Sequence, residues 1–426
     1  MHDAGFIAQH RLTDTAFTRS RKLDFPTLIQ FLLNHRKGSL QTELDRFFGD
    51  RHADEVPRRY VTKSACSQAR QHLNYTAFIE LNKQFVETLY QSRSKALKTW
   101  HGFRLCAVDG SQLRLPISPS LQHYFGCSAG SAVAQQTMGL CSVYYDVLNE
   151  VVIDAMLTPT RTSERDCLAH HLEVAGAQDL VLLDRGYNAF WVFAHLGLLK
   201  KAFCIRACTA RDLVVQAFIQ SGQSETTVTY KPNKVSACHC AEFDLPAEPI
   251  TLRLIRVDLP NDVEVLITNL DDIKRYPAKE FKRLYHQRWG VETFFRRAKY
   301  QQEIEAMSGK SVEIVLQDFH ATILAANLTA SIALAGRHVV NKRKQSVKDR
   351  HEKEIYQINF AQAYAKMKQY GYVLWLRYGA ALGEYLLQLA ELMAKFYNKL
   401  RPERSYPRIM TKFNKRVHHM AYKSTL

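Results

Sequence analysis

Leu180-Val181-Leu182-Leu183-Asp184-Arg185-Gly186-Tyr187 is the stretch that sets the architecture. Four apolar residues closed by an acid and a glycine read as a short buried strand ending in a turn. Helical patterns flank it at Ser163–Ala175 and Asn188–Leu199, and a further strand-like run follows at Ala202–Arg206. Upstream, runs rich in β-branched and aromatic residues occupy Phe103–Val108, Met138–Tyr145 and Val151–Leu157. Strands first, then strands alternating with helices, predict an α/β class: a mixed sheet covered by helices.

Outside this block the patterning changes. Residues 1–100 read as helical. Leu40, Leu44, Phe47 and Phe48 recur at helical spacing behind Ser39, a candidate N-cap. A second helix, about Lys63 to Asn74, opens after Thr62 and presents Lys63, Ser64, Ser67, Gln68 and Arg70, residue types suited to phosphates and base edges. That pair suggests a DNA-binding head, with Lys63, Gln68 and Arg70 as contacts, although a solvated amphipathic face has the same pattern. Residues 207–271 are mostly strand-like (Thr226–Tyr230, Thr251–Val257, Glu264–Thr268) and read as a β-rich insertion. Helical patterns return at Ala278. The divisions expected are therefore 1–100, 101–206, 207–271, 272–338 and 339–426, the last with a basic patch at Lys342–Lys344 and an apolar helix over Tyr372–Tyr397 that packs internally or dimerises.

The chain has 426 residues, with Lys+Arg 58 against Asp+Glu 41, a formal charge of +17. With 46% hydrophobic and 11% aromatic residues it has ample apolar surface for large cores, which excludes disorder as a general description. A surface this basic predicts a polyanionic partner, nucleic acid first. The longest uncharged apolar stretch, Ala321 to Gly336, is shorter than the roughly 20 residues that cross a bilayer. The N-terminus has no compact apolar run, so neither a membrane span nor a secretory signal is expected. Nine cysteines suggest reduced thiols rather than a disulfide framework. Cys204, Cys208, Cys238, His239 and Cys240 contain soft ligands but lack paired CxxC spacing, so packing roles are favoured over zinc.

Two aspartates close predicted strands. Asp109 follows Leu105-Cys106-Ala107-Val108 and precedes Gly110-Ser111; Asp184 has the same setting. Acids at the ends of neighbouring strands can converge, because strands lie about 5 Å apart, yet Asp-Gly is also ordinary turn chemistry. A third element adds weight. Between Tyr285 and Lys299, the polar residues Tyr285, Arg288, Glu292 and Lys299 stand at offsets 0, 3, 7 and 14. At about 100° per residue these form one narrow stripe. Leu284, Val291, Phe294 and Ala298 lie opposite, so one acid amid cations and a phenol is expected on the face away from the core.

The spacing Tyr285-x2-Arg288-x3-Glu292-x6-Lys299 resembles the Tyr-Arg-Glu-Lys signature of the insertion sequence 4 family of bacterial DDE transposases, and Asp109 and Asp184 resemble that family's first two catalytic acids. The similarity runs from about Thr62 to Gly309. It implies a ribonuclease-H-like catalytic core in two parts, 101–206 and 272–338, the latter bearing Glu292, with the β-rich insertion between. It further implies a bacterial, cytoplasmic and nucleoid-associated protein that cuts double-stranded DNA at a transposon's inverted-repeat ends and joins the 3′-OH to target DNA, as a homodimer in the synaptic complex. Tyr285, Arg288 and Lys299 are then phosphate contacts, with Arg296 beside them, and Trp289 a surface on which an extruded base can stack.

In-line displacement at phosphorus needs charge stabilised on two oxygens, which two Mg²⁺ ions about 3.5–4 Å apart provide. Three carboxylates without histidine suit Mg²⁺, for which Mn²⁺ can substitute. The expected arrangement has Asp109 bridging both ions, with Asp184 and Glu292 holding one each. A catalytically silent DNA-binding protein, such as a domesticated transposase or a repressor of its own element, is the rival reading. A glycosidase using two of the acids explains neither the charge nor the basic helix.

Overall fold

The computed structural model describes residues 1–19, 21–34, 38–53, 56, 58–92, 97–127, 136–210, 212–259, 262–347 and 356–399. The chain divides into two compact units. One comprises Met1–Ala96, Leu113–Gly139 and Arg296–Leu426; the other comprises Leu97–Gln112 and Leu140–Phe295.

The second unit is built on an eight-stranded sheet. Its strands are β1 (Arg104–Arg114), β2 (Met138–Asp146), β3 (Val151–Pro159), β4 (Asp179–Leu183), β5 (Ala202–Arg206), β6 (Glu225–Tyr230), β7 (Ile250–Leu259) and β8 (Asp262–Thr268), in the spatial order β3-β2-β1-β4-β5-β8-β7-β6. The strands β1, β4 and β5 run parallel. The Glu164–Glu173 and Phe190–Leu198 helices supply the connections that parallel pairing demands. The first of them starts at a capping box, in which Ser163 Oγ accepts from the Asp166 N–H at 3.1 Å and Asp166 accepts in return from the Ser163 N–H at 3.2 Å. Such a cap contributes about 1 kcal/mol and fixes where the helix begins.

All eight predicted strands and both predicted helices of this unit are present. Residues 207–271 hold, in addition, helices at Leu213–Ser221 and Lys234–Glu242 that the strand-like reading missed. Antiparallel pairing of β8 with β5 makes the stretch an extension of the main sheet. One expectation is corrected. The chain does not turn after Asp109; β1 continues through Gly110 and Ser111 to Arg114. Its register with β4 ends at Ala107 opposite Leu182, so from there β1 outruns its neighbour.

The first unit is helical, with Ala4–His10, Phe25–Leu33, Leu40–His52, Lys63–Arg70 and Thr76–Gln91 near the N-terminus. Leu28, Ile29, Phe31, Leu44, Phe47, Phe48 and Phe78 form its N-terminal core, which includes the apolar face read behind Ser39. The 36-residue helix Val312–Val347 packs against Phe25–Leu33, Thr76–Gln91, Phe360–Tyr370 and Gly379–Met393. Val312–Lys342 is long and apolar enough to cross a membrane by length and composition, and 67% of its most apolar window is buried inside the protein, as in a core helix. The continuous helix expected over Tyr372–Tyr397 is interrupted. A short 3-10 stretch ends at Trp375, Gly379 takes a left-handed φ of 55°, and a new helix runs only to Met393. The side chains of Arg343 and Lys344, and residues 400–426, lie outside the described residues.

Arg70 is corrected here. It is 2% exposed; its guanidinium forms an ion pair with Asp318 at 2.9 Å and donates to Gln317 at 2.9 Å and to the Ile314 carbonyl at 3.2 Å. A guanidinium turned inward and saturated by protein acceptors is not free to meet phosphate. Lys63 and Gln68, on the same helix, are exposed.

Candidate active site

The parallel register determines how the first two acids meet. Ala107 lies opposite Leu182, so two residues further on Asp109 stands level with Asp184, at the end where β4 stops. Side chains alternate along a strand, which sends residues two apart to the same face. Leu105, Cys106, Ala107 and Val108 are at most 1% exposed, and this apolar wall holds Asp109 out of bulk water. Asp109 Oδ1 accepts from the Gly110 N–H at 3.0 Å. Asp184 caps the single 3-10 turn Arg185–Tyr187, its Oδ1 accepting from the Gly186 N–H at 2.7 Å. The acid opening the same strand, Asp179, contrasts with it: Arg104, Tyr144 and the Gly176 N–H saturate its carboxylate, a structural role.

A fourth acid, absent from the sequence reading, lies beside these two. Glu164 is the first residue of the Glu164–Glu173 helix, where the helix dipole favours a carboxylate. Its Oε1 lies 2.5 Å from where a Cβ on residue 110 would stand, so glycine is what lets this carboxyl approach Asp109's strand. The available signal was an acid directly after a capping Ser163, at the start of the helix leading into the Asp184 strand.

Burial pushes the Asp109 carboxyl up to about 7; Arg288 and the Gly110 N–H oppose the rise, and Asp184 and Glu164 add to it. Glu164 is raised as well, by burial first and then by Asp184. Asp109 thus feels the charge of both neighbouring acids, and Glu164 that of Asp184.

Glu292 arrives by a different route. The expected single helix is two, Phe281–His286 and Trp289–Tyr300, joined by tight turns in which the Arg288 N–H donates to the Tyr285 carbonyl at 3.0 Å and the Val291 N–H to the Arg288 carbonyl at 3.1 Å. These i to i−3 bonds break the 3.6-residue period, and the stripe is not a solvent face. Tyr285 is 5% exposed and donates its hydroxyl to the Leu183 carbonyl at 3.3 Å, buttressing the residue before Asp184. Arg288 is 7% exposed; its Nη2 donates to Glu292 Oε1 at 2.7 Å and its Nη1 lies 3.8 Å from Asp109 Oδ2. Trp289 is exposed and its ring lies 5.2 Å from the Arg288 guanidinium. Further along the helix Arg296 is exposed and Lys299 half-buried.

The three predicted acids are therefore connected, with Asp109 beside Asp184 and Arg288 between Asp109 and Glu292. They do not coincide. Among the described residues, no three Asp, Glu, His or Cys side chains lie close enough together to hold one ion as they stand. Arg288 stands between two of them, hydrogen-bonded to Glu292 and 3.8 Å from Asp109.

The family model of the transposase DDE domain matches residues 100–328, more than half of the chain, and its span contains all of these acids. The chain belongs to the DDE transposase family. The chain is similar to the transposase InsG of insertion sequence element IS4 from Escherichia coli K12, 24% identical over 277 residues that cover 64% of this chain and 61% of that protein. The putative transposase InsZ of Escherichia coli K12 is 29% identical over 121 residues, 28% of this chain and 40% of that protein. The matches thus span less than two thirds of either relative's length. The piggyBac transposase synaptic complex with hairpin DNA is a distant structural neighbour, at a TM-score of 0.40 and 11% identity, covering 91% of this chain and 80% of that one.

The donor chemistry at the DDE acids fits a hard divalent ion. Every donor is a carboxylate oxygen, and the rise of Asp109, caused by burial first and then by Asp184 and Glu164, is one that a bound cation opposes. The cysteines do not compete for this role: Cys204 and Cys240 are buried and Cys238 is exposed.

Proposed function

We propose that this chain cuts DNA at the ends of a bacterial mobile element and joins the freed 3′-OH to target DNA, using a divalent ion at Asp109, Asp184 and Glu292. The observation that carries the reading is the parallel register of β1 with β4, which carries Asp109 to where β4 ends before Asp184, inside a matched DDE domain, with Glu292 linked to Asp109 by Arg288. Asp109 and Asp184 would hold the ion, with Glu292 supplying a third carboxylate in place of its bond to Arg288. Mg²⁺ is the proposed ion and Mn²⁺ its substitute. When bound, such ions stabilise charge on the entering and leaving oxygens of a phosphoryl transfer.

The protein's own groups do the positioning. Asp109 and Asp184 are fixed by backbone N–H groups and a shared register, so their oxygens need no reorganisation at the moment of reaction. Arg288, if Glu292 leaves it, retains a charged fork suited to a phosphate oxygen. Trp289 offers an exposed ring beside that fork for an unstacked base, while Arg296 and Lys299 add positive charge along the helix. Buried Tyr285 supports the Asp184 strand end and is turned away from any DNA surface. Lys63 and Gln68 stay as candidate contacts of the N-terminal helices. Double-stranded DNA is the proposed partner, a dimer the proposed synaptic form, and the bacterial cytoplasm the proposed site of action.

Incubation with DNA carrying the inverted repeats that flank the reading frame, with and without Mg²⁺, tests this. Nicked or excised product that disappears in Glu292→Gln supports it. Metal-independent binding with no cleavage under any condition points instead to a silent DNA-binding protein.

A further inference from the structure

Resting on that reading of the acid site, we propose that Glu164 and Tyr187 are positioning residues that complete it, hydrogen-bonding to the water carried by a divalent cation held at Asp109 and Asp184. Tyr187 is 0% exposed, and among the described residues its hydroxyl has no hydrogen-bond partner. A buried hydroxyl without a partner is costly and uncommon, so the group marks a place where another polar species belongs. Its position is fixed locally: the Tyr187 N–H donates to the Asp184 carbonyl at 3.2 Å, closing the turn that Asp184 caps. Burial above all holds its phenol well above the usual range, and the charges of Glu164, Asp109, Asp184 and Cys167 add to the rise.

Glu164 is the complementary half. Among the described residues its carboxylate makes no hydrogen bond or ion pair. It is not needed for capping, because Ser163 and Asp166 already close that helix start. Instead it lies against Gly110, the residue after Asp109. Mg²⁺ gives up its waters reluctantly and is held by few carboxylates, so groups that accept from and donate to those waters matter for affinity. The exposed Glu164 carboxylate can accept from them and the Tyr187 phenol can donate, and neither has to be a direct ligand.

The test is Mn²⁺ binding by the full chain near neutral pH, read from the electron paramagnetic resonance signal of free Mn²⁺, with melting of the metal-free protein alongside. Glu164→Gln and Tyr187→Phe are each expected to weaken Mn²⁺ binding about 10-fold. Tyr187→Phe is also expected to leave the metal-free melting temperature unchanged or raised, since it removes an unpartnered donor. If both variants bind Mn²⁺ as the wild type does, or if they lower metal-free melting while Mn²⁺ affinity stays constant, the residues are structural and the inference is overturned. Asp109→Asn separates the two levels. Loss of binding in Asp109→Asn with wild-type binding in the other two rejects only Glu164 and Tyr187, whereas wild-type binding in Asp109→Asn rejects the metal site itself and this inference with it.

Discussion

Arg288 Nη2 donates a 2.7 Å hydrogen bond to Glu292 Oε1, one helical turn further along. The same guanidinium reaches Asp109 Oδ2 at 3.8 Å, so a single cation joins the first and third of the candidate acids, while Asp184 follows a strand in parallel register with that of Asp109. Protein charge thus holds Asp109 and Glu292 on one cation.

Removing the cation should be felt in stability and in titration. Arg288→Ala loses a charge-assisted bond and leaves Asp109 without the group that most opposes its rise. The expected cost is about 1–2 kcal/mol in urea unfolding of the metal-free protein, reduced from a fully buried pair because Glu292 is partly exposed. An unchanged midpoint would show that the bridge contributes nothing.

Asp109 gives a defined pH dependence. Its folded pKa, about 7, lies above the ordinary carboxylate value, so between roughly pH 4 and 7 the folded state binds more protons than the unfolded one. Its contribution to stability is therefore greatest at low pH and declines as pH rises through that window. Metal affinity should move the opposite way, rising up to about pH 7 and levelling off above it, because the ion displaces the proton. Calorimetric titration with Mn²⁺ across this range checks both, and Asp109→Asn should flatten the stability slope.

Glu292→Gln should reduce cleavage by about three powers of ten, equivalent to several kcal/mol of lost charge stabilisation. DNA affinity should change little, since the amide retains the side chain's shape and Arg288 keeps its charge. Equal losses of binding and cutting would mean that Glu292 supports the DNA surface rather than the reaction.

Two residues of one N-terminal helix should behave differently. Arg70→Ala breaks a buried pair with Asp318 and is expected to cost about 3–5 kcal/mol, seen as a lower melting temperature. Lys63→Ala should leave stability intact and lower the slope of log affinity against log salt by about one, if Lys63 meets a phosphate. A reversal of these effects would put the DNA-facing side of that helix elsewhere.

Much of the sheet was legible because short buried strands announce themselves: Leu180–Leu183 and Ala202–Arg206 match the observed strands to within a residue at either end. The acids were legible by spacing. What the sequence hid was direction. Tyr285 and Arg288 read as a solvent stripe because an unbroken helix was assumed, whereas tight turns at Gln287 and Arg288 turn both inward. Arg70 misled for a related reason, since a guanidinium suited to phosphate is equally suited to a buried aspartate, and its partner Asp318 is 248 residues away. Glu164 was missed because a lone acid at a helix start is ordinary until the fold brings Gly110 against it.

Gly110 has a bearing on how such a chain decays. A methyl group on its α-carbon would stand 2.5 Å from Glu164 Oε1 and 2.9 Å from its Cγ, so alanine there must push the glutamate aside. Glycine and alanine codons differ by a single base. One such base change would leave every acidic codon intact and still move Glu164 away from the strand that carries Asp109.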